Sequence, residues 1–260
     1  MPSVQTARDA IAALPKGPPL VVALVGGTTG IGSYVAKTLA ATFANEGPRL
    51  RVYIVGRRAD RAENIVSYGR EKSPGSDWRF VQASDGSLMS DVDRVSREIT
   101  RQEEEAPFAG GPPRLDVLYL SQALSPDTIK PGELPIGTPQ PASYGITAVR
   151  NHSTFMKTFF FEELAEKHAG KISFTHIHPG LVDGPTFYSD VNPRWFVMLW
   201  RVVKPLVSWY MTSPEVLAFS SQHELGGGAY AVGQRGDERK DKVWDHTTET
   251  LAEIERCNAA

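Results

Sequence analysis

The chain reads as one α/β domain: a doubly wound parallel sheet with helices on both faces. Three observations predict this. Its first half alternates apolar, strand-like runs with stretches whose apolar residues recur at helical spacing. The first apolar run breaks into glycines, and a helix follows at once. The 260 residues are enough for a single large domain, spanning 1–260, with a buried core.

Taken in order, Ala7 to Leu14 is a short leading helix. Val21 to Val25 is the first, buried strand. Gly32 to Asn45 is the first helix, with Tyr34, Val35, Leu39 and Phe43 as its apolar positions. Arg51 to Val55 is the second strand and Arg61 to Tyr68 the helix after it. Trp78 to Gln82 is the third strand. Leu88 to Arg101 carries Val92, Val95 and Ile99 at helical spacing, and Glu103-Glu104-Glu105 reads as a solvated helix end. Leu115 to Leu120 is the fourth strand. The alternation then stops. Between Ser125 and Ala142 stand Pro126, Pro131, Pro135, Pro139 and Pro141 with Gly132 and Gly137, a composition that makes loop. Ser143 to Ala169 is a long amphipathic helix with Val149, Met156, Phe160 and Leu164 on one stripe. Lys171 to Ile177 is a further strand, ending in His178-Pro179-Gly180. Trp195 to Tyr210 and Ser213 to Ser221 are helical, and Val243 to Cys257 is a polar amphipathic tail helix.

Composition excludes several classes. A formal net charge of −2 gives no electrostatic reason to expect nucleic acid or an anionic membrane. Cys257 is the only cysteine, so no intramolecular disulfide forms, which fits a reducing, cytoplasmic setting. Met1 to Lys16 has no apolar leader core. Trp195 to Tyr210 is apolar, but Arg201, Lys204 and Pro205 interrupt it, and it is shorter than the roughly twenty residues that span a bilayer. His176 and His178 share one face of a strand, a metal-capable spacing, yet no third ligand cluster accompanies them and no metal site is predicted.

The informative motif is Val21-Val22-Ala23-Leu24-Val25-Gly26-Gly27-Thr28-Thr29-Gly30-Ile31-Gly32. Strand, glycine turn and helix is the arrangement that binds a dinucleotide. Gly26 permits the tight turn, Gly30 lets the backbone approach a pyrophosphate, and Gly32 lets the helix pack against the strand. The helix start at Gly30, Ile31 and Gly32 offers free N–H groups and partial positive charge. Thr28 and Thr29 add hydroxyl donors. An ordinary glycine-rich turn is the bland alternative. No Lys-Ser or Lys-Thr follows Gly32, so a nucleoside-triphosphate loop is excluded. After the second strand comes Val55-Gly56-Arg57-Arg58, where enzymes choosing NAD usually place a carboxylate. Two guanidiniums suit a 2′-phosphate, so NADP (NADPH) is favoured over NAD. A solvated charge cluster is the alternative.

With these residues in place the chain resembles the short-chain dehydrogenase/reductase family, close to an atypical branch common in fungal genomes. Its Rossmann-like fold is the one already read from the alternation. The resemblance rests on Gly26-x-x-x-Gly30-x-Gly32, Gly56-Arg57-Arg58, Ser84-Asp85, Leu120-Ser121-Gln122-Ala123 and Pro179-Gly180-Leu181-Val182. It implies that Asp85 lies against adenine, that Ser121 and Gln122 line the cofactor, and that Pro179, Gly180 and Val182 border the nicotinamide. It implies Tyr144 as proton donor, with Ala148 standing where the family has its activating Lys, a feature shared with the atypical branch. Residues 124 to 144 are too few for the family's next crossover helix and strand, which also carries the catalytic Ser. The fold is then one helix–strand unit short, and its sheet gapped or rearranged. Residues 181–222 take the place of the substrate lid. The aromatic stretch Trp195, Phe196, Leu199, Trp200, Leu206, Trp209 and Tyr210 serves equally well as a core or dimer helix, which leaves a homo-oligomer open. Arg150 and His152 follow Tyr144 on the helix; His152 can exchange protons near neutral pH, and an ordinary surface role fits both.

The activity implied is NADP-dependent oxidoreduction of a small apolar carbonyl or alcohol in secondary metabolism. Two alternatives stay open: a non-redox isomerase, cyclase or dehydratase on the same fold, and a catalytically defective relative.

Overall fold

The computed structural model describes residues 4–84, 89–121, 146–174, 194–208 and 237–259. The chain divides into two compact units, Met1–Gln122 with Pro179–His223, and Ala123–His178 with Glu224–Ala260.

The first unit opens with α1 (Val4–Ala13) and then alternates: β1 (Leu20–Val25), α2 (Gly30–Thr42), β2 (Leu50–Gly56), α3 (Ala59–Lys72), β3 (Asp77–Gln82), α4 (Met89–Glu105) and β4 (Val117–Leu120). The four strands form one parallel sheet in the order β3-β2-β1-β4. Burial on both faces explains why β2 carries apolar residues at nearly every position. One face packs Val22, Leu24, Val52 and Ile54 under Val35 and Leu39 of α2 and Ile65 of α3. The opposite face packs Val21, Ala23, Tyr53, Val55 and Val81 under Val95 of α4 and Phe108. Helices therefore cover both faces, as the alternation predicts. After β3 the chain crosses back to the far side of β1, so the strand order reverses between β1 and β4. Ligands of open α/β sheets sit at such a reversal, outside the carboxyl ends of the strands.

The register Ala23↔Leu118 and Val25↔Leu120 turns Leu118 and Leu120 to the α4 face of the sheet. They are 56 % and 51 % exposed there. Among the described residues β4 is the sheet edge, where a fold with the next crossover unit would continue.

Two sequence readings need correction. Glu103 is not part of a solvated helix end: it is 3 % exposed. Continuing the spacing Val95, Ile99 by four more residues puts position 103 on the inner face of α4, while Glu104 and Glu105 face solvent. Its Oε1 accepts from Arg51 Nη1 and from the Tyr53 hydroxyl, each at 2.7 Å. Arg51 also donates to Asp77 Oδ2 at 2.8 Å and to the Ala106 carbonyl at 2.8 Å. Burial, reinforced by the Glu103 carboxylate, pushes the Tyr53 hydroxyl up to about 12. An unfolded tyrosine ionises near 10, so between these values the unfolded chain has released a proton that the folded chain retains. Stability is therefore expected to fall as pH rises from about 10 to about 12, and less so in Tyr53→Phe. Urea midpoints of both proteins at about pH 9 and about pH 11 check this; equal alkaline losses would refute it.

The second correction concerns the strand expected at 171–177. In the second unit α5 (Ile146–Lys167) ends in a turn instead. The N–H groups of Lys171 and Ile172 donate back to the His168 carbonyl at 3.0 and 3.1 Å. Gly170, at φ +76°, supplies the left-handed residue that such a helix end requires. Residues up to Phe174 join no ladder; 175–177 lie outside the described residues. The same unit holds the tail helix, α7 (Asp237–Ala259), with α6 (Arg194–Val207) preceding it in the first unit. Phe160 of α5 stacks on Trp244 of α7 with centroids 5.2 Å apart, and Lys167 lies 4.5 Å over the same indole. Phe160 belongs to the stripe the sequence marks. The expected helix at 213–221 lies outside the described residues. No helix among the described residues is long and apolar enough to cross a membrane.

Candidate dinucleotide site

The glycine turn lies at the carboxyl end of β1, beside the strand-order reversal. Gly26 has φ +82° and Gly30 φ +56°, left-handed values that a side chain with a Cβ resists. Gly30 is thus required by its own backbone as well as by any ligand that approaches it. The Gly26 N–H donates to the Val55 carbonyl at 2.9 Å, which ties the turn to β2. A Cβ on Gly32 would stand 2.5 Å from the Gly26 carbonyl oxygen and would also meet Ser121 Oγ. The bare glycine is what lets the start of α2 close on the turn, as its spacing predicts. Ser121 binds the other side: its N–H and its hydroxyl both donate to the Val25 carbonyl, at 2.9 and 3.0 Å. The ends of β1 and β4 and the start of α2 therefore converge on three residues, Gly26, Gly32 and Ser121.

Thr29 is the N-cap of α2, in extended conformation and with no side-chain cap bond. The first amides of the helix, from Gly30 to Gly32, have no acceptor within the helix. They are half-buried or buried and carry the positive end of the helix dipole. Thr28 serves packing: a Cβ on Gly56 would stand 2.7 Å from its methyl carbon, so Gly56 makes room for it.

The two arginines differ. Arg58 makes a forked, exposed pair with Asp60, Nε to Oδ1 at 3.1 Å and Nη2 to Oδ2 at 2.7 Å. That hydrogen bond raises the arginine's pKa and lowers the aspartate's. Arg57 is exposed, and its carbonyl accepts from Gln82 Nε2 at 3.2 Å. Residues that the sequence reading missed fix the neighbouring loop. The Ala83 N–H donates to the Gly56 carbonyl at 3.0 Å. Asp91, buried in α4, accepts the Ser84 N–H at 2.7 Å and pairs with Arg94 at 2.5 Å. A carboxylate in the first turn of a helix is the signal that could have found it.

Of the other predicted site residues, Asp85, Gln122, Tyr144, Pro179, Gly180 and Val182 lie outside the described residues, as do His176 and His178. Among the described residues no cluster of three or more His, Cys, Asp or Glu could hold a metal.

The residues present fit a dinucleotide. The cradle at Gly26 and Gly32 is one that a Cβ would fill, uncapped helix amides face the pyrophosphate position, and an exposed guanidinium stands past β2.

Comparison with known proteins agrees. No family model matches the chain. Short-chain dehydrogenase/reductase SAT2 of Stachybotrys chartarum is 40 % identical, covering 100 % of this chain and 99 % of that protein. The alignment runs over 353 positions against 260 residues here, so part of the relative has no counterpart in this chain. Oxidoreductase AN1596 of Emericella nidulans is 25 % identical, covering 95 % of this chain and 97 % of that protein. Among solved structures, L-sorbose reductase from Gluconobacter frateurii, complexed with NADPH and L-sorbose, matches at a TM-score of 0.54 with 16 % identity, over 83 % of this chain and 93 % of that one. The reductase/Diels-Alderase MalC from Malbranchea aurantiaca matches at 0.52 with 13 % identity, over 84 % of this chain and 95 % of that one. The structural likenesses support the fold. Full-length identity to the Stachybotrys protein carries the assignment further, and the chain belongs to the short-chain dehydrogenase/reductase family of oxidoreductases.

Proposed function

We propose that the protein is an NADP(H)-dependent oxidoreductase acting on a small apolar carbonyl or alcohol in secondary metabolism. The observation that carries the reading is the convergence of Gly26, Gly32 and Ser121 at the strand-order reversal, with exposed Arg57 past β2. NADPH, when bound, supplies the hydride. The amides of Gly30 to Gly32 hold its pyrophosphate and Ser121 lines the turn. Gln122 lines the cofactor beside Ser121, Pro179, Gly180 and Val182 border the nicotinamide, and Asp85 lies against the adenine. Tyr144 delivers the proton to the substrate oxygen. The single cysteine fits a reducing, cytoplasmic setting.

Arg57 is the first choice for the 2′-phosphate, because Arg58 must first release Asp60. Exposed pairs of that kind add little net stability, so the exchange is open to a doubly charged phosphate. Losing a charge-assisted phosphate contact costs about 1.5–3 kcal/mol, roughly a ten- to hundredfold loss of affinity. Arg57→Ala is therefore expected to weaken NADPH by that factor and leave NADH nearly unchanged. Calorimetric titration of both proteins with both cofactors tests this. An unchanged NADPH-to-NADH ratio in Arg57→Ala would overturn the assignment.

The second reading, a non-redox isomerase, cyclase or dehydratase, is favoured by one observation. Position 148, four residues after Tyr144, holds Ala and not the Lys that would activate the hydroxyl. Cofactor binding without turnover is its signature.

A further inference from the structure

The chain as a whole is slightly acidic, but α6 is not. Its fourteen residues include Arg194, Arg201 and Lys204 and contain no Asp or Glu. Trp195, Met198, Leu199, Val202 and Leu206 follow the spacing i, i+3, i+4, i+7, i+11, which places them on one stripe about 100° wide. All five are exposed, between 51 % and 71 %. The less exposed residues, Val197, Trp200, Val203 and Val207, occupy a different sector of the helix. The five side chains are thus largely exposed, and an exposed apolar patch of this kind marks an interaction surface. Arg194 and Arg201 are exposed and seven residues apart, so both lie along one margin of the stripe.

We propose that α6 docks the protein peripherally on an anionic lipid surface. The stripe inserts below the headgroups and Arg194 and Arg201 lie on lipid phosphates. The helix is about 21 Å long, short of the roughly 30 Å hydrocarbon core, so it lies in the interface plane and does not span. An apolar face, an aromatic at its start and cations along its margin are the marks of interfacial helices. Charge separates this occupant from a second copy of the chain. Two such stripes laid against each other bring four arginines together with no acid in either helix, whereas an anionic bilayer satisfies both the apolar area and the cations. The inference stands apart from the dehydrogenase reading and does not depend on it.

The test is co-sedimentation of the full-length protein with large vesicles of phosphatidylcholine, with and without about 30 mol % phosphatidylserine. The expected result is binding to the anionic vesicles, at least about tenfold weaker to neutral ones, and weakened by salt. Met198→Glu with Val202→Glu should abolish it. Arg194→Gln with Arg201→Gln, both at exposed positions that leave the fold intact, should lower anionic binding about tenfold or more and leave neutral binding unchanged. Circular dichroism and NADPH titration of the same samples report folding and the cofactor site separately. No binding to either vesicle overturns the proposal, as does equal binding to both. Concentration-dependent self-association, seen by sedimentation velocity and abolished by Met198→Glu with Val202→Glu, would assign the stripe to a second copy and overturn it as well.

Discussion

Glu103→Ala is expected to destabilise the first unit by about 3 kcal/mol, the low end of the range for breaking a buried ion pair. The carboxylate is buried, and one of its oxygens takes both the Arg51 guanidinium and the Tyr53 hydroxyl. Removing it leaves the Tyr53 O–H without its acceptor and takes one of three hydrogen-bond acceptors from the Arg51 guanidinium on the α4 face of the sheet. Arg51 keeps Asp77, the Ala106 carbonyl and the Phe108 ring, whose centroid lies 4.8 Å from its guanidinium carbon, which is why the high end is not reached. Glu103→Gln retains an acceptor and should cost less, about 1.5–3 kcal/mol. The pair does not earn its place by net stability alone. Replacing Arg51 by Met and Glu103 by Leu together should recover most of the loss, because two desolvated charges disappear at once. Urea midpoints of the four proteins make the comparison. Arg51 stands second in β2 and Asp77 first in β3, at the end of the sheet opposite the glycine turn. NADPH affinity of the folded fraction should therefore not change. A Glu103→Ala midpoint equal to the parent's would show the network to be idle.

That network also marks where the sequence was hard to read. The strands and helices of the first unit were legible because apolar periodicity and the glycine turn are local signals. Gly26 and Gly32 could be placed from their spacing along one strand–turn–helix and Ser121 only from the resemblance, and the structure brings the three together. Glu103 was not legible in that way: its neighbours Glu104 and Glu105 are solvated, and its partners Arg51 and Tyr53 come from a distant strand. An arginine inside an apolar strand was the available hint, because a buried cation needs a carboxylate from somewhere. Arg57 and Arg58 read as equivalent in sequence, and Asp60 separates them in space. The turn after α5 defeated the strand reading because Gly170, one residue ahead of an apolar run, closes the helix with amides that a strand would need. Tyr144 and the Pro179-Gly180 segment are proposed to carry the chemistry, and that proposal rests on resemblance.

Redox turnover on simple apolar ketones and alcohols is expected to be absent or at least about 10²-fold below that of an enzyme with the full catalytic set. A positioned acid–base group contributes roughly 10² to 10⁴ in rate. Ala148 cannot supply the cation that the family's Lys would place beside the proton-donating hydroxyl. The stretch from Leu124 to Tyr144 has no room for the crossover helix and the strand that bears the family's Ser, and the exposed Leu118 and Leu120 lie where that unit would continue the sheet. Missing scaffold acts on top of missing groups, since a misplacement of about 1 Å costs a further 10²-fold. The measurement is nicotinamide absorbance with a panel of apolar ketones and alcohols, for the parent, Tyr144→Phe and Ala148→Lys. If the absent cation limits the rate, Ala148→Lys raises it and Tyr144→Phe changes little in the parent. Fast parent turnover that collapses in Tyr144→Phe would refute the prediction and restore an ordinary dehydrogenase. Bound NADPH with no turnover in any of the three would shift the weight to isomerase, cyclase or dehydratase chemistry, where Tyr144 need not meet a hydride acceptor. Failure to bind NADPH at all would identify a defective family member, in which the Gly26–Gly32–Ser121 junction persists as a property of the fold.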